Sequence, residues 1–210
     1  AATPRFPGHD QPKVPAWGYE DESDPAVMAR KIDAAADSGV DVFLYDWYWH
    51  DTGLFIGDGL EKGLLKAPNR DRIKFALMWA NHDWIEIFPA KAGVKPETLH
   101  PGPVTRETFV KATDHIIQTY FSQPNYWRVD GKPYFSVYEL MTLIQGLGGV
   151  EATRAALDDF RDRARKAGVG ELHLNAVMWG VQVLPNERTV KNPEELLGKL
   201  GMDSVTSYCW

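Results

Sequence analysis

One pattern constrains this chain more than any other: a short, mostly apolar, β-favouring run recurs along it, and helical segments separate the copies. The runs are Val40–Trp49, Ile73–Ala80, Pro133–Tyr138, Leu172–Trp179 and Ser204–Trp210. Near-continuous apolar runs are what strands buried on both faces require. Between them, Asp24-Pro25 opens a helix that Gly39 stops, with Asp24 placed to cap free N–H groups and Pro25 suited to the first turn. Helices are also expected from about Thr105 to Phe121, from about Val150 to Ala167, and from Asn192-Pro193, where Glu195 is placed to complete a capping box. Asp58 to Lys66 reads as a shorter helical piece.

Strands alternating with helices imply parallel β/α units, in an open doubly wound sheet or a barrel. The strand ends separate the two. A nucleotide-binding open sheet carries a glycine-rich turn after its first strand, and no run here is followed by one. Instead the runs end in Asp46, Trp47, Trp49 and His50; in Trp79, Asn81, His82, Asp83 and Trp84; in Glu139; in Trp179; and in Tyr208 and Trp210. Polar and aromatic side chains at the C-terminal ends of several strands are the makings of a barrel active site. The expected fold is therefore α/β, a TIM-type (β/α)8 barrel with about five of its eight strands in this chain. Residues 1–23, rich in proline and glycine, form an irregular lead-in, and residues 24–210 form the partial barrel.

Composition excludes several classes. The net charge is −6 and the basic residues are dispersed, so no patch is available to neutralise nucleic-acid phosphates. No apolar run is long enough for a membrane span. Cys209 is the one cysteine, which removes an internal disulfide and any multi-cysteine metal site. No cofactor or metal is expected. A secreted or periplasmic setting is slightly favoured over the cytoplasm, and the oligomeric state stays open. The unusual feature is aromatic content, 12% with eight tryptophans.

Four segments resemble, in order, glycoside hydrolase family 99 and its bacterial relatives, the WbsX-type proteins. They are AAADSGVDVFLYDWYWH (Ala34–His50), FALMWANHDW (Phe75–Trp84), DGKPYFSVYE (Asp130–Glu139) and GMDSVTSYCW (Gly201–Trp210). The second is the most specific, similar to the WANxxW segment of WbsX-type proteins. The resemblance implies a (β/α)8 barrel that cleaves glycosidic bonds with retention and without a metal, on a polysaccharide or glycan such as a mannose-containing one. The family's catalytic glutamates sit in a later EWxE segment that this sequence does not contain. WbsX-type proteins have also been described as glycosyltransferases, a reading that needs a nucleotide-sugar site.

Each candidate has a structural alternative. Asp46 can accept bonds from sugar hydroxyls, and Trp47, Trp49, Trp79, Trp84, Trp179 or Tyr208 can lie under a sugar ring; period-two alternation sends half of any such set into packing. His50, Asn81 and His82 can hydrogen-bond substrate, with Asp83 orienting His82, whereas Asn81 and Asp83 can equally be turn-formers. Glu139 with Asp46 is the catalytic pair available within the chain, provided their separation suits hydrolysis, about 5–10 Å; the alternative makes Glu139 a cap for the next segment. His115 and His173 read as structural. A glycan-binding barrel without catalysis is the competing function.

Overall fold

The computed structural model describes residues 6–8, 13–88, 93–178 and 192–207. Trp179, Tyr208, Cys209 and Trp210 lie outside them. The five expected strands form, at β1 (Val42–His50), β3 (Lys74–Trp79), β7 (Lys132–Val137), β8 (His173–Met178) and β9 (Ser204–Ser207). They pair in parallel in the order β1-β3-β7-β8-β9, so all five C-terminal ends lie on one side. Short antiparallel additions trim the sheet: β2 (Gly53–Phe55) folds back on β1, and β6 (Arg128–Val129) on β7. The β6–β7 turn is Asp130-Gly131, both at positive φ, as a tight two-residue hairpin requires. A separate ribbon pairs β4 (Trp84–Ile85) with β5 (Thr98–His100). Among the described residues the five parallel strands form an open sheet.

The helices are α1 (Pro25–Asp37), α2 (Arg106–Thr119), α3 (Leu140–Leu147), α4 (Val150–Lys166) and α5 (Pro193–Leu200). Asp24 caps α1 by accepting from the Ala26 N–H at 2.8 Å, and Thr105 caps α2 by accepting from the Thr108 N–H at 3.1 Å. The expected capping box at α5 does not form: Asn192 makes no side-chain cap bond, and Glu195 pairs with Lys199 at 2.6 Å instead. Asp58 to Lys66 folds as a π-helical turn, Gly59–Gly63, running into a 3-10 turn, Leu64–Lys66.

The helices cover one face of the sheet. Phe75, Leu77, Trp79, Phe135 and Val137 point into that layer, against Phe109, Ile116 and Tyr120 beside α2 and Phe160 of α4, each at most 1% exposed. Side chains of this size stabilise by roughly 1.5–3 kcal/mol each when fully buried. Among the described residues, a separate small apolar group, Met78, Tyr138 and Val177, lies on the opposite face. Leu44 on that face is 49% exposed. Lower on the same face, Asn175 accepts from the hydroxyls of Ser136 at 2.8 Å and Thr206 at 3.1 Å, and donates to Ser204 at 2.9 Å. A fully buried asparagine is tolerated there because its amide is bonded on both sides.

Candidate functional site

Alternation along β1 divides its residues between the two faces. Tyr45 reaches Met28 of α1, and the Trp47 indole donates to the Tyr120 hydroxyl at 3.2 Å, so the odd-numbered residues face the helices. Asp46 and Tyr48 therefore face the open side. Register carries the assignment across the sheet: Asp46 pairs with Met78, Met78 with Ser136, and Ser136 with Asn175.

Directly above that row, an aromatic cluster closes the C-terminal end. Tyr48 meets Trp84 edge-on at 5.3 Å and His82 at 6.0 Å. His82 lies parallel to Trp84 at 6.5 Å and edge-on to Tyr138 at 5.5 Å. Phe55 packs against Trp84 at 5.2 Å. Tyr48, Phe55, His82 and Trp84 are half-buried, so ring surface remains for a ligand. Asp46 is exposed; partial desolvation raises its carboxyl above the usual range, and the nearby His82 opposes that shift.

The loops holding this mouth are fixed by buried amide chemistry. Asn81, 1% exposed, donates to the Glu139 carbonyl at 2.8 Å and accepts from the Glu139 N–H at 2.8 Å. Asp83 accepts from the Gly102 N–H at 2.8 Å. Gly102 has to be glycine, because a Cβ there would stand 2.6 Å from the Asn81 carbonyl oxygen. The Asp83 backbone carbonyl, 2.9 Å from His82 Nδ1, orients His82. This bond requires a proton on Nδ1, which leaves Nε2 of the neutral ring as an acceptor.

Several sequence expectations change here. Trp47 and Trp79, 2% and 0% exposed, are packing residues: Trp79 stacks on Phe109 at 6.0 Å. Trp49 lies on the same helix side, tilted on His115 at 5.2 Å. These three lie on the helix side of the sheet, because their parity along β1 and β3 turns them toward α2. Asn81 is a clasp whose amide is spent on Glu139. Asp83 spends its carboxylate on a neighbouring loop and orients His82 through its backbone. Glu139, 2% exposed, accepts from the Met141 N–H at 3.1 Å and caps α3. It follows Tyr138 in extended backbone at the start of α3. Asp46, His82 and Trp84 do come together, joined by Tyr48, Tyr138 and Phe55. Parity counted from Asp46 identifies Tyr48. No local signal points to Phe55 or His100.

His50 sits behind the cluster. Its Nδ1 is 3.1 Å from the Pro101 carbonyl, its ring stacks on His100 at 5.0 Å, and its Nε2 is buried without a hydrogen-bond partner. Burial depresses its pKa; the Pro101 bond opposes this, and His100 and His82 reinforce it. A histidine depressed in the fold contributes stability that is complete above its unfolded value, about 6.5, and is lost as pH falls through the folded value. Wild-type protein should thus lose thermal stability between pH 7.5 and 5.5, and His50→Phe should lose less over that interval. Equal slopes in differential scanning fluorimetry would contradict the burial of a neutral imidazole. Among the described residues, no group of three or more histidines, cysteines or carboxylates is arranged to hold a metal ion, and no helix is long and apolar enough to cross a membrane.

Comparison with known proteins adds three findings. The model of a family described as glycosyltransferase WbsX matches residues 1–201. Uncharacterized protein WxcX, from two strains of Xanthomonas campestris pv. campestris, is 27% identical over 175 residues; the match takes in 81% of this chain and 23% of the relative. The chain thus spans about a quarter of the length of these curated relatives. Among solved structures, the GH99 endo-alpha-mannosidase from Bacteroides thetaiotaomicron superposes with a TM-score of 0.58 at 16% identity, over 98% of this chain and 54% of that one. A glycoside hydrolase-like protein gives 0.52 at 18% identity, over 80% and 48%. These likenesses show the fold: an α/β architecture with a mainly parallel sheet, similar to the GH99 barrel.

Proposed function

The chain belongs to the glycosyltransferase WbsX family, and from that premise we propose that its open sheet face binds a glycan in a protein of the glycoside hydrolase type. The observation that carries this is the cluster of Tyr48, His82, Trp84 and Tyr138 above Asp46, at the common end of parallel strands. In it, ring faces take the C–H surface of a pyranose, and Asp46 and His82 Nε2 accept its hydroxyl protons. The edge-to-face contacts hold the rings before any ligand arrives, which lowers the ordering cost of binding.

In the hydrolytic reaction one carboxylic acid protonates the leaving oxygen while a second carboxylate supports the developing charge at the sugar carbon, and water completes the cleavage. Asp46, exposed near His82, suits hydroxyl recognition in this scheme, and Glu139 bonds the start of α3. The Glu139 bond to the Met141 N–H supports a second reading, a glycan-binding face that does not itself cleave. The GH99 likeness supports a mannose-containing ligand. Glycosyl transfer, which the family's description names, would require a nucleotide-sugar donor.

Titrating the protein with manno-oligosaccharides should quench tryptophan fluorescence. Trp84→Ala should weaken binding about tenfold or more, the scale of a lost ring contact plus buried area. Reducing-end release from a polysaccharide panel separates cleavage from binding, and calorimetry with nucleotide sugars tests transfer. Protein that responds to no glycan would end the proposal.

A further inference from the structure

A second concavity lies away from the aromatic mouth. Pro15, Ala16, Trp17, Gly18, Tyr19 and Glu20, with Lys31 of α1, line about 610 Å³, within the roughly 300–1,000 Å³ common for small-ligand sites. The loop is held in shape by its own contacts. The Gly18 N–H donates to the Pro15 carbonyl at 2.8 Å, and the Tyr19 hydroxyl donates to the Lys13 carbonyl at 2.9 Å. The Arg30 guanidinium lies 5.2 Å over the Trp17 ring and also pairs with Glu20. Within this frame Trp17 is 52% exposed and Tyr19 64%.

The pocket lies beside the first half of α1, from the loop before it to Lys31 at its middle. The C-terminus of α1 leads through residues 38–41 into the start of β1. The N-terminus of α1, and the loop before it, therefore lie toward the end where β1 finishes. Glu22 bears this out: it lies against Gly59 and Gly63, in the turn that follows β1 and β2. Charge narrows the occupant. Arg30 is paired with Glu20 and Lys31 with Glu22, so these two cations are already matched by carboxylates. A phosphate or nucleotide would find no unmatched cation among these groups, whereas a neutral hydroxyl-rich ring finds aromatic faces and hydrogen-bonding groups.

We infer that the Trp17–Tyr19 pocket is a second subsite for a neutral glycan, taking a sugar unit remote from the one at Trp84. This rests on the glycan reading of the mouth. Two subsites on one chain raise the affinity of a ligand long enough to reach both, and do nothing for a short one.

The test uses linear mannan, glucan and galactan oligosaccharides, each as a disaccharide and a hexasaccharide, titrated calorimetrically into wild type, Trp17→Ala and Trp17→Phe. For the sugar type that binds, Trp17→Ala should weaken the hexasaccharide about five- to tenfold and leave the disaccharide unchanged, with Trp17→Phe between. Hexasaccharide affinity equal to wild type in Trp17→Ala overturns the subsite and leaves the mouth intact. Equal losses at both lengths also overturn it, since one site would then serve both ligands. Wild type that binds no oligosaccharide overturns the mouth reading, and the subsite with it.

Discussion

Trp79→Ala should destabilise the protein by about 3–5 kcal/mol, as removal of a fully buried large aromatic typically does. Trp84→Ala, five residues further on, should cost about 1 kcal/mol. Trp79 is wholly buried between β3 and Phe109, and its indole donates to the Trp49 carbonyl at 3.2 Å. Its loss leaves a cavity and an unsatisfied carbonyl at once. Since natural domains have about 5–15 kcal/mol in total, Trp79→Ala should shift the urea midpoint far down or prevent folding. Trp79→Phe keeps most of the volume and should fold, which keeps the test decisive. It should bind glycan as wild type does, because the ring faces the helices. Trp84→Ala should show the reverse, near-native unfolding with weakened binding. A Trp79→Phe variant of near-native stability that binds no glycan would place Trp79 in the ligand site and refute the parity assigned to β3.

The contrast marks what could be read from the sequence. All five parallel strands were legible, because strands buried within a layered sheet read as apolar runs whatever lies around them. Their shared direction followed from the helices between them. Which parity faces the helices was not legible. Asp46, Trp47, Tyr48 and Trp49 alternate between a polar or amphipathic side chain and a large ring, and both kinds suit a cleft. Tyr120, 73 positions beyond Trp47, and Phe109, 30 positions beyond Trp79, decide the matter by drawing the two tryptophans into the core. The helix α3 carries an apolar stripe, Leu140, Leu143, Ile144 and Leu147, but at eight residues periodicity alone does not separate it from a short apolar run. The β4–β5 ribbon escaped because its strands are two and three residues long and are defined by each other. His100 reaches His50 and Phe55 only through that pairing.

Asn81 illustrates the same limit at a single side chain, and it yields the second large expected effect. Its sequence context suits a turn residue bonding its own backbone, but the amide spans 58 positions to grip both polar groups of Glu139. Asn81→Ala should cost about 2–4 kcal/mol, because a buried N–H and a buried carbonyl both lose partners, at about 1–3 kcal/mol each with some relief from water. Asn81→Asp sharpens the test. The introduced carboxylate can still accept from the Glu139 N–H, but its other oxygen then faces the Glu139 carbonyl, and a charge is buried. Protonation restores a donor for that carbonyl. The introduced group should have a folded pKa above its unfolded value, so its contribution is present below the unfolded pKa and is lost as pH rises through the folded one. Asn81→Asp should therefore lie closer to wild type in urea midpoint at pH 4 than at pH 8, while Asn81→Ala shows the same deficit at both. A clasp predicts that glycan affinity, measured where each variant is folded, changes little. If Asn81→Ala instead unfolds at the wild-type midpoint and fails to bind glycan, the amide serves the ligand, and the joint between β3 and β7 is held by something else.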